Sequence, residues 1–119
     1  VNGFYEWRRT EGNKATYYFK SNDQDALALA GIYQISRDGE MHCCLITTGA
    51  NNVMRPVHDR MPALIPQAAM QDWLLSEDTH VIDALMKPAA DDSITAVEVS
   101  SYANNAHNEG EKCIAPVNK

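Results

Sequence analysis

The chain has 119 residues, 45% of them hydrophobic and 22% charged, a globular composition at the size of one ordinary domain rather than a disordered or fibrous one. No run approaches the roughly 18–20 consecutive apolar residues that a helical membrane span needs. The net charge of −6 argues against a protein that grips nucleic acid by bulk charge alone, yet the charge is unevenly spread: up to Arg60 seven basic residues balance seven acidic ones, and the remainder carries three against nine.

The chain opens at Val1-Asn2-Gly3-Phe4-Tyr5-Glu6-Trp7, already inside what reads as a strand. With no initiator Met and no targeting segment, it is expected to be a piece of a longer polypeptide. Gly3 to Arg9 and Thr16 to Lys20 are aromatic-rich runs on either side of Glu11-Gly12-Asn13, a turn signal, and together they predict a β-hairpin. Ala26 to Ile35 has a helical composition. The Gly31 interruption, the Ile-Tyr-Gln-Ile alternation and the Arg37-Asp38-Gly39-Glu40 turn nevertheless favour a strand for its second half, with Met41 to Thr48 as hairpin partner. Asn51 to Arg60 contains Pro56 and lacks clean periodicity, so it reads as loop or short helix. Pro66 suits the first turn of a helix whose apolar face is Met70, Trp73 and Leu74. Ile82, Leu85 and Met86 repeat that spacing in a second helix, which stops before Pro88. Thr95 to Ser100 alternates like a strand, Asn104-Asn105 breaks the chain, and Lys119 ends a run expected to fray. The sum is an α+β chain of mostly antiparallel strands with two helices in its second half.

Cys43, Cys44 and Cys113 are odd in number, and the adjacent pair is poorly placed to bridge. The expectation is a reduced, cytoplasmic protein with core or half-buried strand cysteines. His42 beside Cys43 and Cys44 suggests ligands at first sight. Neighbours on a strand point to opposite faces, however, and no second Cys/His pair has zinc spacing, so no metal site is read. Glu6 shares a strand face with Phe4, while Tyr5 and Trp7 share the other. It is either an edge-strand charge at the surface or a partly buried acid, and burial would raise its pKa and suit it to general acid–base work. His58-Asp59-Arg60-Met61-Pro62 is the densest polar cluster. His58 exchanges protons near neutral pH, Asp59 can orient a neighbour, and Arg60 can clamp a phosphate or carboxylate; the same residues also make an unremarkable surface turn. Thr47-Thr48-Gly49-Ala50-Asn51 ends a strand in small residues, where backbone can approach a ligand closely. Asn104 to Gly110 reads as loop, and His80 and His107 as surface residues. Trp7, Trp73, Tyr17 and Tyr18 belong to core or strand surface by default, although aromatics near Arg8 and Arg9 can also stack on bases.

Taken in order, Gly3-Phe4-Tyr5-Glu6-Trp7, Ile46-Thr47-Thr48 with Ala50-Asn51, His58-Asp59-Arg60-Met61-Pro62, and Asn104-Asn105 through Gly110-Glu111-Lys112-Cys113-Ile114 make a set that resembles the SOS-response-associated peptidase family, the SRAP domain. The resemblance covers essentially the whole chain. It implies an α+β, β-rich bifurcated sheet or pseudo-barrel with flanking helices, of which residues 1–119 are the C-terminal portion of a single domain. It also implies a bacterial or phage-related protein that recognises abasic sites in single-stranded DNA and shields them. In the family an N-terminal cysteine, exposed by self-removal of the initiator Met, forms a thiazolidine crosslink with the ring-opened sugar. That cysteine, a site asparagine and much of the DNA-binding surface lie in a half that has no counterpart here. By the same resemblance Glu6 shuttles protons and supports Met removal, His58 assists Schiff-base chemistry, Arg60 holds a DNA phosphate beside the lesion, and Thr48 is a looser match near the site. No cofactor or metal is implied, and no oligomeric state.

None of Cys43, Cys44 or Cys113 can stand in for the nucleophile, because an internal cysteine's nitrogen is locked in an amide. Two other readings compete. A conventional peptidase or hydrolase would need a nucleophile beside His58, for which Thr48 and Cys43 are the candidates. A non-catalytic DNA-binding or partner-binding fragment would need neither Glu6 nor His58. The abasic-site reading predicts that Glu6, His58 and Arg60 converge around one cleft, and that the chain alone leaves apolar strand surface uncovered.

Overall fold

A computed structural model describes residues 1–23 and 25–117; the frayed end expected at Lys119 lies outside them. Strands β1 (Gly3–Thr10) and β2 (Asn13–Ser21) form the expected hairpin, with Phe4 opposite Phe19, Glu6 opposite Tyr17 and Trp7 opposite Thr16. Gly12, at φ 73°, takes the left-handed turn position that costs glycine least. A later strand, β7 (Ile94–Val99), pairs antiparallel with the far side of β2. The sheet order is therefore β1-β2-β7, which leaves β1 as an edge.

The central stretch splits more finely than the alternation predicted. Strands β3 (Gly31–Ile35) and β4 (Met41–Leu45) make one antiparallel ribbon. Strands β5 (Thr47–Gly49) and β6 (Arg60–Pro62) make another. Ile46 interrupts the predicted Met41-to-Thr48 strand because its backbone turns to a different neighbour: its N–H donates to Ala30 O at 2.9 Å, and its carbonyl accepts from Ala63 N at 2.9 Å. Ala30 and Ala63 are fully buried at this crossing. Gly31–Ile35 is a strand, as the Ile-Tyr-Gln-Ile alternation favoured, whereas Ala26 to Ala30 forms no helix despite its helical composition, and Leu29 bridges Leu64. The described strands form three antiparallel sheets, of three, two and two strands and none of them closed, with few helices, the α+β, β-rich class expected.

Both predicted helices form, and both are short: α1 (Met70–Leu75) and α2 (Thr79–Leu85). Pro66 stands just before a 3-10 turn (Gln67–Ala69) that leads into α1, rather than inside the first turn. The Asp78 carboxylate caps α2 by accepting from His80 N at 2.9 Å. Of the apolar face predicted for α1, Trp73 is half-buried and donates from Nε1 to Gly31 O at 3.3 Å, whereas Leu74 is 76% exposed. One turn and a half of helix can press only one large side chain onto its neighbour.

The main core packs Phe19, Met54, Met61 and Ile94 beneath one face of the three-stranded sheet, with Phe4 and Tyr17 at its margin. Phe4 and Phe19 stack at 5.2 Å between ring centroids. On the sheet's opposite face Tyr5 OH donates to Cys113 O at 3.1 Å, and the chain then pairs along the edge of β7, Val117 N donating to Glu98 O at 3.0 Å. Cys43 and Cys44 are exposed on β4, which corrects the expectation of core or half-buried positions; Cys113 is half-buried, and all three are free thiols. Their strand belongs to a ribbon whose ten residues are all exposed.

Candidate active site

The β1 register puts Phe4, Glu6 and Arg8 on the core side of the sheet and Tyr5, Trp7 and Arg9 on the other. Phe4 is drawn into the core. Glu6, one pleat further out, is half-buried at the sheet's open edge, between the two readings the sequence allowed. Its Oε1 accepts from Trp7 N at 3.2 Å, and the Arg8 guanidinium sits 5.6 Å from the Tyr17 ring centroid.

His58 reaches the same edge from the turn after β5. Asn51, 5% exposed, holds that turn: its Oδ1 accepts from Met54 N at 2.9 Å and its Nδ2 donates to Ala89 O at 3.1 Å. The fully buried Met54 side chain anchors the turn in the core, and its carbonyl accepts from Val57 N at 2.8 Å and His58 N at 3.0 Å. The turn therefore has little freedom where it delivers His58. Glu6, Trp7, Arg9, Val57 and His58 line one cleft beside β1.

The proton inventory of His58 follows from its partners. Nδ1 accepts from Arg60 N at 3.0 Å, so the neutral ring carries its proton on Nε2. The Asp59 carboxylate lies 3.3 Å from the same Nδ1 and can take a hydrogen bond from it once the ring is protonated. With Asp59 92% exposed, that pairing is weak. Nε2 is thus the atom through which either form offers a proton.

Arg60 is exposed on β6 and spends Nη2 on Thr47, donating to its carbonyl at 3.0 Å and to Oγ1 at 3.1 Å. Thr48 is half-buried opposite Met61. The structure therefore brings Glu6 and His58 into one cleft, while Arg60 and Thr48 stand on the adjoining β5–β6 ribbon outside its lining. Among the described residues no three His, Cys, Asp or Glu side chains gather as a metal set. Trp7 and Arg9 are lining residues that sequence reasoning did not assign. Their signal was an aromatic beside Arg8 and Arg9, a pattern able to stack on bases, on the strand that carries Glu6.

The family description SOS response associated peptidase (SRAP) matches residues 1–106. The chain belongs to the SRAP family. The SRAP chain is 30% identical to abasic site processing protein YoqW of Bacillus subtilis, over 96% of its own length and 54% of the relative's. It is 30% identical to abasic site processing protein HMCES of Xenopus tropicalis, over 98% and 42%. A crystal structure of a protein from Bacteroides thetaiotaomicron superposes with a TM-score of 0.85 at 27% identity, covering 98% of this chain and 54% of that one. The SRAP chain thus spans about half the length of the relatives it matches.

Proposed function

We propose that this chain is the C-terminal part of an abasic-site-processing domain that acts on single-stranded DNA. The observation that carries the reading is the cleft shared by Glu6 and His58, two proton-handling side chains from distant parts of the chain. The relatives' names support the substrate class. In the reaction proposed, the amine of an N-terminal cysteine outside these residues adds to the ring-opened sugar aldehyde. The carbinolamine loses water to give an imine, and the cysteine thiol adds to the imine carbon to close a thiazolidine. The overall balance is amine, thiol and aldehyde giving thiazolidine and one water.

Each proton in that sequence has a candidate carrier. The departing hydroxyl needs an acid, a role suited to His58 through Nε2. The amine and thiol each surrender a proton, a role suited to the Glu6 carboxylate; its part in Met removal would use the same basicity. Arg60 keeps Nη1 and Nε for a backbone phosphate next to the lesion while Thr47 holds Nη2, and Thr48 flanks the path. A conventional peptidase is the poorer reading, because neither Thr48 nor Cys43 lines the cleft and His58 Nδ1 is already bonded to Arg60 N.

The whole reading frame that encodes this chain, expressed and incubated with single-stranded DNA bearing an abasic site, tests the proposal. A protein–DNA adduct that survives denaturation and is lost when the N-terminal cysteine is replaced is the expected result. Absence of any such adduct, or turnover of an unrelated peptide that Thr48→Ala abolishes, would sink it.

A further inference from the structure

We infer that Asn104 is a positioning residue for the cleft, fixing the indole of Trp7 as its outer wall. This rests on the DNA reading above and extends it to a residue from the far end of the chain. Trp7 Nε1 donates to Asn104 Oδ1 at 2.7 Å, and Thr16 Oγ1 donates to the same oxygen at 3.1 Å. An indole N–H is only a donor, so the Asn104 atom that faces it must be the carbonyl oxygen. Both lone pairs of that oxygen are used.

The second donor explains why the arrangement is tied down. Thr16 is 2% exposed and lies opposite Trp7 in the β1–β2 register. A buried hydroxyl left without a partner is costly, so Thr16 holds Asn104 in place whether or not Trp7 moves. The backbone that carries Asn104 is a 3-10 turn (Ser101–Asn104) capped by the Ser100 hydroxyl, which accepts from Tyr102 N at 3.3 Å. Asn108 Nδ2 braces the turn from below by donating to Tyr102 O at 2.8 Å. Lys14 Nζ lies 5.3 Å from the Trp7 ring centroid, so the ring is bounded over a face as well as at its N–H edge. Trp7 lines the cleft from the sheet face opposite Glu6, and a flat aromatic ring of fixed tilt at that edge selects how an unpaired nucleotide enters.

The test uses the protein from its whole reading frame, with the Trp7 indole resonance identified by its loss in Trp7→Phe. In Asn104→Ala the Trp7 indole N–H is expected to shift upfield and exchange faster with solvent, while the Trp73 indole signal stays. Affinity for an abasic single-stranded oligonucleotide should fall about five- to tenfold, the range expected when one base-stacking platform is loosened. The rate of adduct formation at saturating DNA should change less than twofold. Asn104→Asp retains the acceptor and should restore the indole signal. In a Trp7→Phe background Asn104→Ala should have no further effect on affinity. An unmoved indole resonance, a loss confined to the saturated rate, or full additivity with Trp7→Phe would each overturn the inference. A wild-type protein that ignores the oligonucleotide would remove the DNA reading, and the inference with it, even where the indole shift appears.

Discussion

At the scale of single residues, Glu6 and His58 carry the proposed chemistry and are the first substitutions to make. Glu6→Gln and His58→Ala are each expected to slow adduct formation by about 10²- to 10⁴-fold, the usual contribution of a positioned acid or base, while DNA affinity stays within a few-fold of wild type. Single-turnover rates beside an equilibrium binding measurement separate the two effects. Equal rates in all three proteins would remove both residues from the reaction. Tyr5 gives a different kind of prediction. Its phenol is held above the ordinary value of 10.0, mainly by desolvation and then by Cys113 and Tyr18. An acid whose folded pKa is raised adds stability that is fully present below the unfolded pKa, and that stability drains away as pH climbs past 10 towards the folded value. Tyr5→Phe should therefore flatten the alkaline limb of a stability-versus-pH curve, and an unchanged limb would refute that account.

At the scale of elements, the hairpins differ in what covers them. The β1–β2 hairpin is packed so closely that a Cβ added at Gly3 would meet the Tyr18 ring at 2.4 Å and the Phe19 carbonyl at 2.5 Å. Backbone cannot yield as a flexible side-chain tip can, so Gly3→Ala should cost about 1–3 kcal/mol, readable by urea denaturation. The β3–β4 ribbon has the opposite character. One of its faces carries Tyr33, Ile35, Met41, Cys43 and Leu45, an unbroken apolar set by register. Yet Tyr33 is 70% and Met41 68% exposed. Strands patterned to cover a core are here left bare, and a two-stranded ribbon gains little stability by itself in water. In the 119-residue chain Tyr33→Lys should shift the thermal midpoint by no more than a degree or two, whereas Met54→Ala, at a fully buried site, should cost about 2–5 kcal/mol. Equal losses for the two would mean that the ribbon is covered.

At the scale of the whole molecule, the chain is spread out. Its radius of gyration is 16.1 Å, against about 13.5 Å for a compact domain of this length. Its accessible surface is 8577 Å², against about 6,400 Å² for a typical folded monomer of this mass. The excess is comparable to the area that an obligate interface buries, in keeping with the expectation that the chain alone leaves apolar strand surface uncovered. The 119 residues alone should accordingly bind an apolar dye and associate as concentration rises, followed by fluorescence and light scattering. A monomer that binds no dye at any concentration would contradict this. The charge pattern also reads differently at this scale. The cleft belongs to the balanced half of the chain, while the acidic excess lies after Arg60, so the net charge of −6 does not describe the surface around Glu6 and His58.

Local chemistry made much of this legible in advance. Period-two alternation was enough to place Phe4 and Glu6 on one face and Tyr5 and Trp7 on the other, because side-chain direction along a strand is a property of the backbone itself. Turn residues at Gly12 and Gly39 marked both long hairpins for the same reason, each taking a positive φ. The ordered set of motifs pointed to the family without any fold in hand. What the sequence left open was everything set by contacts between distant segments. The break at Ile46 arose from a hydrogen-bond exchange with Ala30 and Ala63, and the exposure of Leu74 from a helix too short to present a full face. Above all, Glu6 and His58 share a cleft because the Met54 turn is anchored in the core and β1 is left as a sheet edge. Neither condition exists until the chain has folded, since each is a balance of packing among residues far apart in sequence.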